Sequence, residues 1–157
     1  MSQPTQEIFS DDILIRRVPP TSDSNVSIVQ TKSGRFRPVS GRMTVRNNED
    51  ALSCSLLRIT SPSQLLAYLY DENKDPTGWH VCAFRVQDVH SVGFEVEFTP
   101  IQGGDIGHCG IRNRGKGGPN FPSSKAKKLA EGTIVLNMDE IQNPSRIPGL
   151  FNSFNIE

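Results

Sequence analysis

The chain has 157 residues, 35% of them hydrophobic and 22% charged, and its 17 basic side chains balance 17 acidic ones. This composition excludes wholesale disorder, and a net charge of zero excludes a bulk attraction for nucleic acid or membrane. Taken in chain order, residues 1–11 are polar and are predicted to be flexible. The β-branched run 13–18 predicts a strand that Pro19 and Pro20 close, because proline cannot continue a hydrogen-bonded ladder.

Extended pieces dominate the next part of the chain, up to one clear helix. Residues 25–30 predict a short strand, and residues 35–46 predict two extended pieces around a turn. Residues 52–59 are compatible with a strand or with a helix, as short apolar runs often are. The clearest helix is 61–72, because Ser61 opens a Ser-x-x-Gln capping box followed by an apolar stripe.

The second half of the chain contains stronger strand signals. The apolar run 79–86 predicts a central strand, and 87–93 predicts a short helical turn that ends at a glycine. Residues 94–99 alternate apolar and acidic side chains, which is typical of a strand with one solvated face. A helix capped by one of two leading serines is predicted at 123–132, and a last strand at 133–138.

These elements predict an α+β fold, because strands outnumber helices and the two kinds do not alternate regularly. We expect a single domain over residues 12–138, with a twisted, mostly antiparallel sheet and two or three helices on one face. The C-terminal tail, 139–157, includes the apolar side chains Ile147, Leu150, Phe151, Phe154 and Ile156. Such a tail either folds back over an edge of the core or docks on another protein.

The cysteines bear on the cellular compartment. Cys54, Cys82 and Cys109 are odd in number and widely spaced, which is untypical of a secreted disulfide scaffold and favours a reducing cytoplasm. The polar, acidic start of the chain has no apolar signal segment, and no apolar run approaches the ~18 residues that span a bilayer. We therefore predict a cytoplasmic protein without membrane contact.

The strongest local charge feature is the basic segment, residues 107–128, which contains six positive side chains and no acidic one. Its cationic residues are Arg112, Arg114, Lys116, Lys125, Lys127 and Lys128. Glycines among them let backbone N–H groups approach an anion, and the following helix N-terminus adds its positive dipole end. The segment lacks a Walker A pattern, so it predicts either an anion or acidic-partner contact or a solvated loop and helix face.

A second cationic cluster is formed by arginines in the first third of the chain. Its members are Arg16, Arg17, Arg35, Arg37, Arg42 and Arg46. Side by side on neighbouring strands, some of them would form a face that binds carboxylate or phosphate with bidentate geometry. The alternative is a salt-bridged sheet surface in which these arginines pair with Glu95 and Glu97.

His108 is the candidate catalytic residue, because it lies in a flexible approach to a strand around 109–112 and because histidine is a common acid or base in enzymes. We expect Asp105 to orient it. His80 is interpreted as a partly buried structural residue. Cys109 has basic neighbours and is weighed as a nucleophile. The chain has no C-x-x-C or H-x-x-x-H pair, so no metal site and no cofactor are predicted.

Five short motifs follow one another along the chain: ILIRRVPP, RFRPVSGRMTV, VQDVHSVGFEVEFTP, GHCGI and KAKKLAEG. This order resembles a set of small uncharacterised bacterial proteins that share an R-R-V start, an F-x-P segment and a late H-x-x-I histidine. The resemblance covers most of residues 12–132, although Pro19-Pro20 stands where those proteins often carry a histidine. Proteins of that set have no established activity and look like accessory parts of larger bacterial systems, defence systems among them.

Together these features predict a small binding or regulatory component of a multi-protein bacterial system, with another protein of that system as its partner. The basic segment, with Arg16 and Arg17, would hold an anionic ligand, a nucleic acid or an acidic protein. The alternative is an enzyme acting on a nucleotide or nucleic acid, a transferase- or nuclease-like toxin. In that enzyme His108 would be the acid or base, and the arginine pair would hold phosphate.

Overall fold

The computed structural model describes residues 7–22, 26–45, 51–113 and 120–152, and these form one antiparallel sheet with helices and a small hairpin around it. The strands are β1 (Ile13–Val18), β2 (Ile28–Gln30), β3 (Phe36–Pro38), β4 (Leu52–Leu56), β5 (His80–Arg85), β6 (Phe94–Phe98), β7 (His108–Asn113) and β8 (Ile134–Val135). The helices are α1 (Pro62–Asp71), α2 (Val86–Ser91), α3 (Ser123–Glu131), α4 (Met138–Gln142) and α5 (Ile147–Leu150). The predicted α+β class with a mostly antiparallel sheet is confirmed.

The main sheet has six strands in the order β6-β7-β4-β1-β5-β8, while β2 and β3 pair separately. β1 lies inside the sheet because its run is apolar on both faces, and Leu14 and Ile15 are both fully buried. Its six residues pair with β5 from Ile13 opposite Arg85 to Val18 opposite His80. The strand order therefore pairs strands that are distant in the sequence, and local sequence patterns do not reveal such pairings.

Two hydrophobic clusters cover the two faces of this sheet. On the first face, Leu14 and Phe84 pack with residues of α2 and α3, among them Val89 and Leu129. On the second face, β1 and β5 pack against α1, α4 and α5. The helices consequently lie on both faces, and the prediction that they share one face is wrong. Apolar residues that recur every 3.6 positions predict that one face of a helix packs against the core, but they do not predict which side of the sheet the helix covers.

The second face is only half covered by helices. Residues of β4, β6 and β7 that share this face are polar, small or charged, in contrast to the apolar residues of β1 and β5. They are Ser53, Ser55, Glu95, Glu97, His108, Gly110 and Arg112. We name this region the polar half-face, and it positions the candidate site described below.

Three local predictions are corrected or resolved by the structure. The turn predicted at Ser40-Gly41 is a 3₁₀ turn, Ser40–Arg42, and residues 43–45 after it form no strand, although Met43 and Val45 are both buried as their alternation predicted. Pro122, without a side-chain cap, precedes α3, so the predicted serine cap is wrong. The ambiguous run 52–59 contains the strand β4.

The C-terminal region packs on the second face of the sheet. Asn137 and Glu140 form a capping box at the start of α4, and Arg35 makes a bidentate ion pair with Glu140 at 3.0 and 2.7 Å. Ile147 and Phe151 are buried in the cluster beneath α1. Phe154 and Ile156 lie outside the described residues. No helix in the described ranges is long and apolar enough to cross a membrane.

Candidate functional site

A cleft of about 500 Å³ opens between α1 and the loop formed by residues 99–107, above the junction of β1, β4 and β7. Its lining comprises Ile15, Arg16, Arg17, Pro19, Ser53, Cys54, Ser55, Leu65, Tyr68, Asp71, Glu72, Lys74, Trp79, Ile101, Gly103, Gly104, Asp105 and His108. This volume falls within the ~300–1,000 Å³ typical of small-molecule sites. The cleft lies at the border between the helix-covered part of the second face and the polar half-face.

The floor of the cleft forms where β1 and β4 separate. Their register pairs Leu14 with Leu56 and Ile15 with Ser55, and it does not continue to Arg16 in this part of the sheet. Here side-chain hydrogen bonds replace the backbone pairing. The Arg16 guanidinium donates from Nη1 to the Ser53 carbonyl at 2.8 Å and from Nε to the Arg42 carbonyl at 3.0 Å. Arg16 therefore supports the opened sheet, and its contacts to these two carbonyls fix its position.

His108 is held in one orientation by Thr99. Its Nδ1 lies 3.0 Å from the Thr99 carbonyl oxygen and 2.9 Å from the Thr99 hydroxyl. A carbonyl oxygen only accepts, so Nδ1 carries the proton in the neutral ring and Nε2 presents a lone pair. Among the residues that the structure describes, Nε2 has no hydrogen-bond partner. A half-buried histidine in this state can accept a hydrogen bond or a proton from a ligand in the cleft.

The prediction that Asp105 orients His108 is wrong, because the Asp105 carboxylate is engaged elsewhere. Asp105 is buried and accepts hydrogen bonds from the Ser55 hydroxyl, from the Thr60 hydroxyl at 2.5 Å and from the Gly107 N–H at 3.1 Å. Its carbonyl accepts from Ile101 N–H at 2.9 Å. Asp105 thus ties the 99–107 loop to β4 and fixes one wall of the cleft.

Arg17 stands on the opposite side of the cleft from His108 and is paired with Glu72. Its Nη1 lies 2.7 Å from Glu72 Oε2, and its guanidinium carbon lies 6.0 Å from the centre of the Trp79 ring. Lys74 Nζ lies 3.6 Å from Glu72 Oε1 and 5.7 Å from the same ring. The hydrogen bond from Arg17 lowers the pKa of the Glu72 carboxyl, so this group stays ionised at neutral pH.

The end of α1 places Glu72 and Lys74 at the mouth of the cleft. Glu72 is the C-cap residue, and Asn73 follows in the left-handed region with φ of 58°. This conformation returns the chain so that Lys74 N–H bonds to the Leu69 carbonyl at 2.8 Å, as in a Schellman ending. Asparagine tolerates the left-handed region better than other non-glycine residues. The local sequence therefore determines where the two charged groups stand.

The predicted binding residues fall into separate places. Arg16, Arg17 and His108 line the cleft, whereas Arg112 pairs with Glu97 at 2.9 Å on the polar half-face. Lys125 lies 5.6 Å from the centre of the Phe94 ring. Lys127 and Lys128 are exposed on α3. Arg114 and Lys116, the middle of the basic segment, lie outside the described residues, and so does Arg46.

The arginine cluster does not form one continuous face. Adjacent residues on a strand point to opposite sides, and Arg16 bonds to the 3₁₀ turn on the first face while Arg17 bonds to α1 on the second. Arg35 pairs with Glu140 rather than with Glu95 or Glu97. The described members of this cluster thus mainly support the fold.

The cysteines are buried in the cluster on the first face. Cys54 and Cys109 stand opposite each other in the β4–β7 register. Burial raises the pKa of Cys82 and of Cys109 to about 12 and raises that of Cys54 well above its usual range. Because the thiolate is the nucleophile, this setting does not suit Cys109 for covalent catalysis at neutral pH.

This burial predicts slow alkylation of all three thiols in the folded protein. At pH 8 we expect iodoacetamide to label them about 100-fold more slowly than in the urea-unfolded chain, because almost no thiolate is present. Intact-mass spectrometry over a time course measures the rates. Labelling of Cys109 at the unfolded rate would contradict the buried setting.

Comparison with known proteins gives no match to a family model, to a curated sequence or to a solved structure. In the described ranges, no group of three or more His, Cys, Asp or Glu side chains is placed to hold a metal ion.

Five residues that line the cleft were not singled out from the sequence, and neither was Thr99, which orients His108. The five are Ser53, Ser55, Glu72, Lys74 and Trp79. A signal existed for the serines, because Leu52–Leu56 alternates apolar residues with serine and so marks a strand with one polar face. No comparable signal marks Glu72 or Thr99. Their roles depend on which distant residue stands opposite them in the fold.

Proposed function

We propose that this protein binds a small anionic molecule of about mononucleotide size in the cleft between α1 and the 99–107 loop. The observation that supports this most directly is convergence. Arg17 in β1 and His108 in β7 are distant in the sequence, and both line one cleft, which Arg16 borders from the other face of β1. In the proposal, Arg17 and Lys74 hold the anionic group, and Nε2 of His108 accepts a hydrogen bond from the ligand.

The charges around the cleft are compatible with this ligand class. Three cations line it, Arg16, Arg17 and Lys74, and three carboxylates line it, Asp71, Glu72 and Asp105. The Asp105 carboxylate is buried in its own hydrogen bonds to Ser55, Thr60 and Gly107. Trp79 and Tyr68 are half-buried and supply apolar surface for the uncharged part of a ligand.

Isothermal titration calorimetry with the four ribonucleoside 5′-monophosphates tests this proposal. We expect at least one of them to bind with a dissociation constant below about 1 mM. Arg17→Ala and His108→Ala should each weaken that binding about tenfold, because each removes one polar contact to the ligand, equivalent to ~1.4 kcal/mol. Circular dichroism checks that both variants fold.

Two variants outside the cleft serve as matched controls. His90→Ala removes an exposed histidine from α2, and Arg146→Ala removes an exposed arginine that pairs with Asp139. Both should bind like the parent protein. The proposal fails if no monophosphate binds, or if Arg17→Ala and His108→Ala bind as tightly as the controls.

A second candidate function is the enzyme alternative, and the orientation of His108 favours it. A histidine whose Nδ1–H is held by a backbone carbonyl presents Nε2 as a general base. If the protein is an enzyme acting on nucleotides, His108→Ala loses turnover of a nucleoside triphosphate substrate beyond any loss in its binding. A binding component shows no turnover in either form.

The partner proposal from the sequence concerns a different region. A cytoplasmic, multi-protein bacterial system, with defence as one setting, stays a prediction, as does a role for the basic segment in holding an acidic partner. The exposed side chains of Lys127 and Lys128 on α3 are the described part of that segment that such a partner could reach.

A further inference from the structure

Glu72 occupies the position that the proposed ligand needs. Its carboxylate lies between the two cations at the mouth of the cleft, 2.7 Å from Arg17 Nη1 and 3.6 Å from Lys74 Nζ. Within the described chain these two cations are its only side-chain partners. A ligand that reached Arg17 from inside the cleft would meet a carboxylate already bound there.

A second arginine–glutamate pair shows what a fixed structural pair looks like in the same protein. Glu140 accepts both Nη groups of Arg35, its side chain is only 6% exposed, and it also accepts from the Asn137 N–H. The Glu72 side chain is 38% exposed and meets Arg17 through one nitrogen. The Arg17–Glu72 pair is therefore the more readily exchanged of the two, since exposed ion pairs are weak.

We propose that Glu72 is an internal competitor, and that the phosphate or carboxylate group of the ligand binds Arg17 and Lys74 by displacing the Glu72 carboxylate. This inference rests on the proposed function, because it concerns the same cleft. It assigns Glu72 a role in specificity: only a ligand with an anionic group can replace it. A neutral ligand of the same shape leaves the Arg17–Glu72 pair in place.

The energetic argument concerns the exchange of one anion for another. Glu72 neutralises two neighbouring cations, and the hydrogen bond from Arg17 lowers the pKa of its carboxyl. A phosphate monoester carries up to two negative charges and three acceptor oxygens, so it can meet both cations at once. Its binding must overcome the existing pair and the repulsion from the displaced carboxylate, and both effects weaken the observed affinity.

Removing the carboxylate should therefore tighten the binding of anionic ligands alone. For Glu72→Gln we expect each monophosphate that binds the parent protein to bind roughly fivefold more tightly, the size expected for an exposed pair. The four matching nucleosides, which lack phosphate, should change by less than twofold. Calorimetry with the monophosphate and nucleoside panels measures both effects.

Asp71→Asn is the matched control, because it removes the same charge from the neighbouring residue of the same wall. Asp71 is exposed and makes no ion pair with a described residue. We expect less than a twofold gain for this variant. An equal gain in both variants would indicate a general field effect and would overturn the competitor role.

The remaining outcomes separate this inference from the proposed function. If a monophosphate binds and depends on Arg17 and His108, but Glu72→Gln does not bind it more tightly, then Glu72 is no competitor and the proposed function stands. If no monophosphate binds either the parent protein or Glu72→Gln, both proposals fail. If a monophosphate binds Glu72→Gln but not the parent protein, the proposed function fails by its own criterion, and the inference that rests on it fails as well.

Discussion

Replacing Asp105 with alanine is expected to lower the free energy of unfolding by about 3 kcal/mol, because it leaves three buried donors without their acceptor. Ser55 and Thr60 are 1% and 2% exposed, and their hydroxyls donate to this carboxylate together with the Gly107 N–H. Because both residues are almost fully buried, water replaces the lost bonds only in part. Urea unfolding followed by tryptophan fluorescence and circular dichroism measures the change.

Two variants sharpen the interpretation of Asp105→Ala. Asp105→Asn keeps the shape and one acceptor oxygen, so it should lose about half as much stability. Asp71→Ala removes an exposed carboxylate from α1 and should change stability by less than about 0.5 kcal/mol. If Asp105→Ala were no more destabilising than Asp71→Ala, the buried carboxylate would not be what anchors the loop.

Gly107→Ala is expected to cost about 2–3 kcal/mol, although glycine-to-alanine changes are often mild. The backbone at Gly107 is not left-handed, so the cost is steric. An added Cβ would overlap the Thr60 hydroxyl oxygen and would lie 3.1 Å from Ile59 Cβ. To accommodate it, either Gly107 must move away from Ile59 and Thr60 or the Thr60 hydroxyl must rotate, and both changes disturb the bond between Thr60 and Asp105.

Gly149→Ala is the matched control for this substitution. Gly149 lies in α5, has no positive φ, and has open space where a Cβ would stand. Alanine there should be neutral or stabilising by up to about 1 kcal/mol, because glycine is costly within a helix. Equal stability changes at the two positions would show that the 99–107 loop can shift to make room for the Cβ at little cost, so the steric argument for Gly107 would be wrong.

Local elements were predictable where the determining residues are close in sequence. The capping box of α1 needs only Ser61 and Gln64, three residues apart, and both of its hydrogen bonds are present. The alternation in 94–99 identified β6 in the same way, with Phe94 buried and Glu95 exposed. Such signals do not depend on how distant strands are arranged.

The cleft was less predictable, because it depends on strand order. His108 reaches the neighbourhood of Arg17 only because β7 pairs with β4 and β4 pairs with β1. Asp105 looked like a partner of His108 on spacing alone, yet the Ser55 and Thr60 hydroxyls bind it, and Thr99 binds His108 instead. Residue spacing places groups near each other, but the register decides which of them touch.

The interior place of β1 has a consequence for how a growing chain acquires this structure. A ribosome makes ILIRRV well before it makes β4 and β5, which flank it on both sides. At the usual synthesis rate of ~5–20 residues per second, several seconds pass between the synthesis of β1 and that of its partner strands. During synthesis the apolar residues Ile13, Leu14 and Ile15 therefore stay without their partner strands for this time, and chaperones that bind nascent chains can contact them.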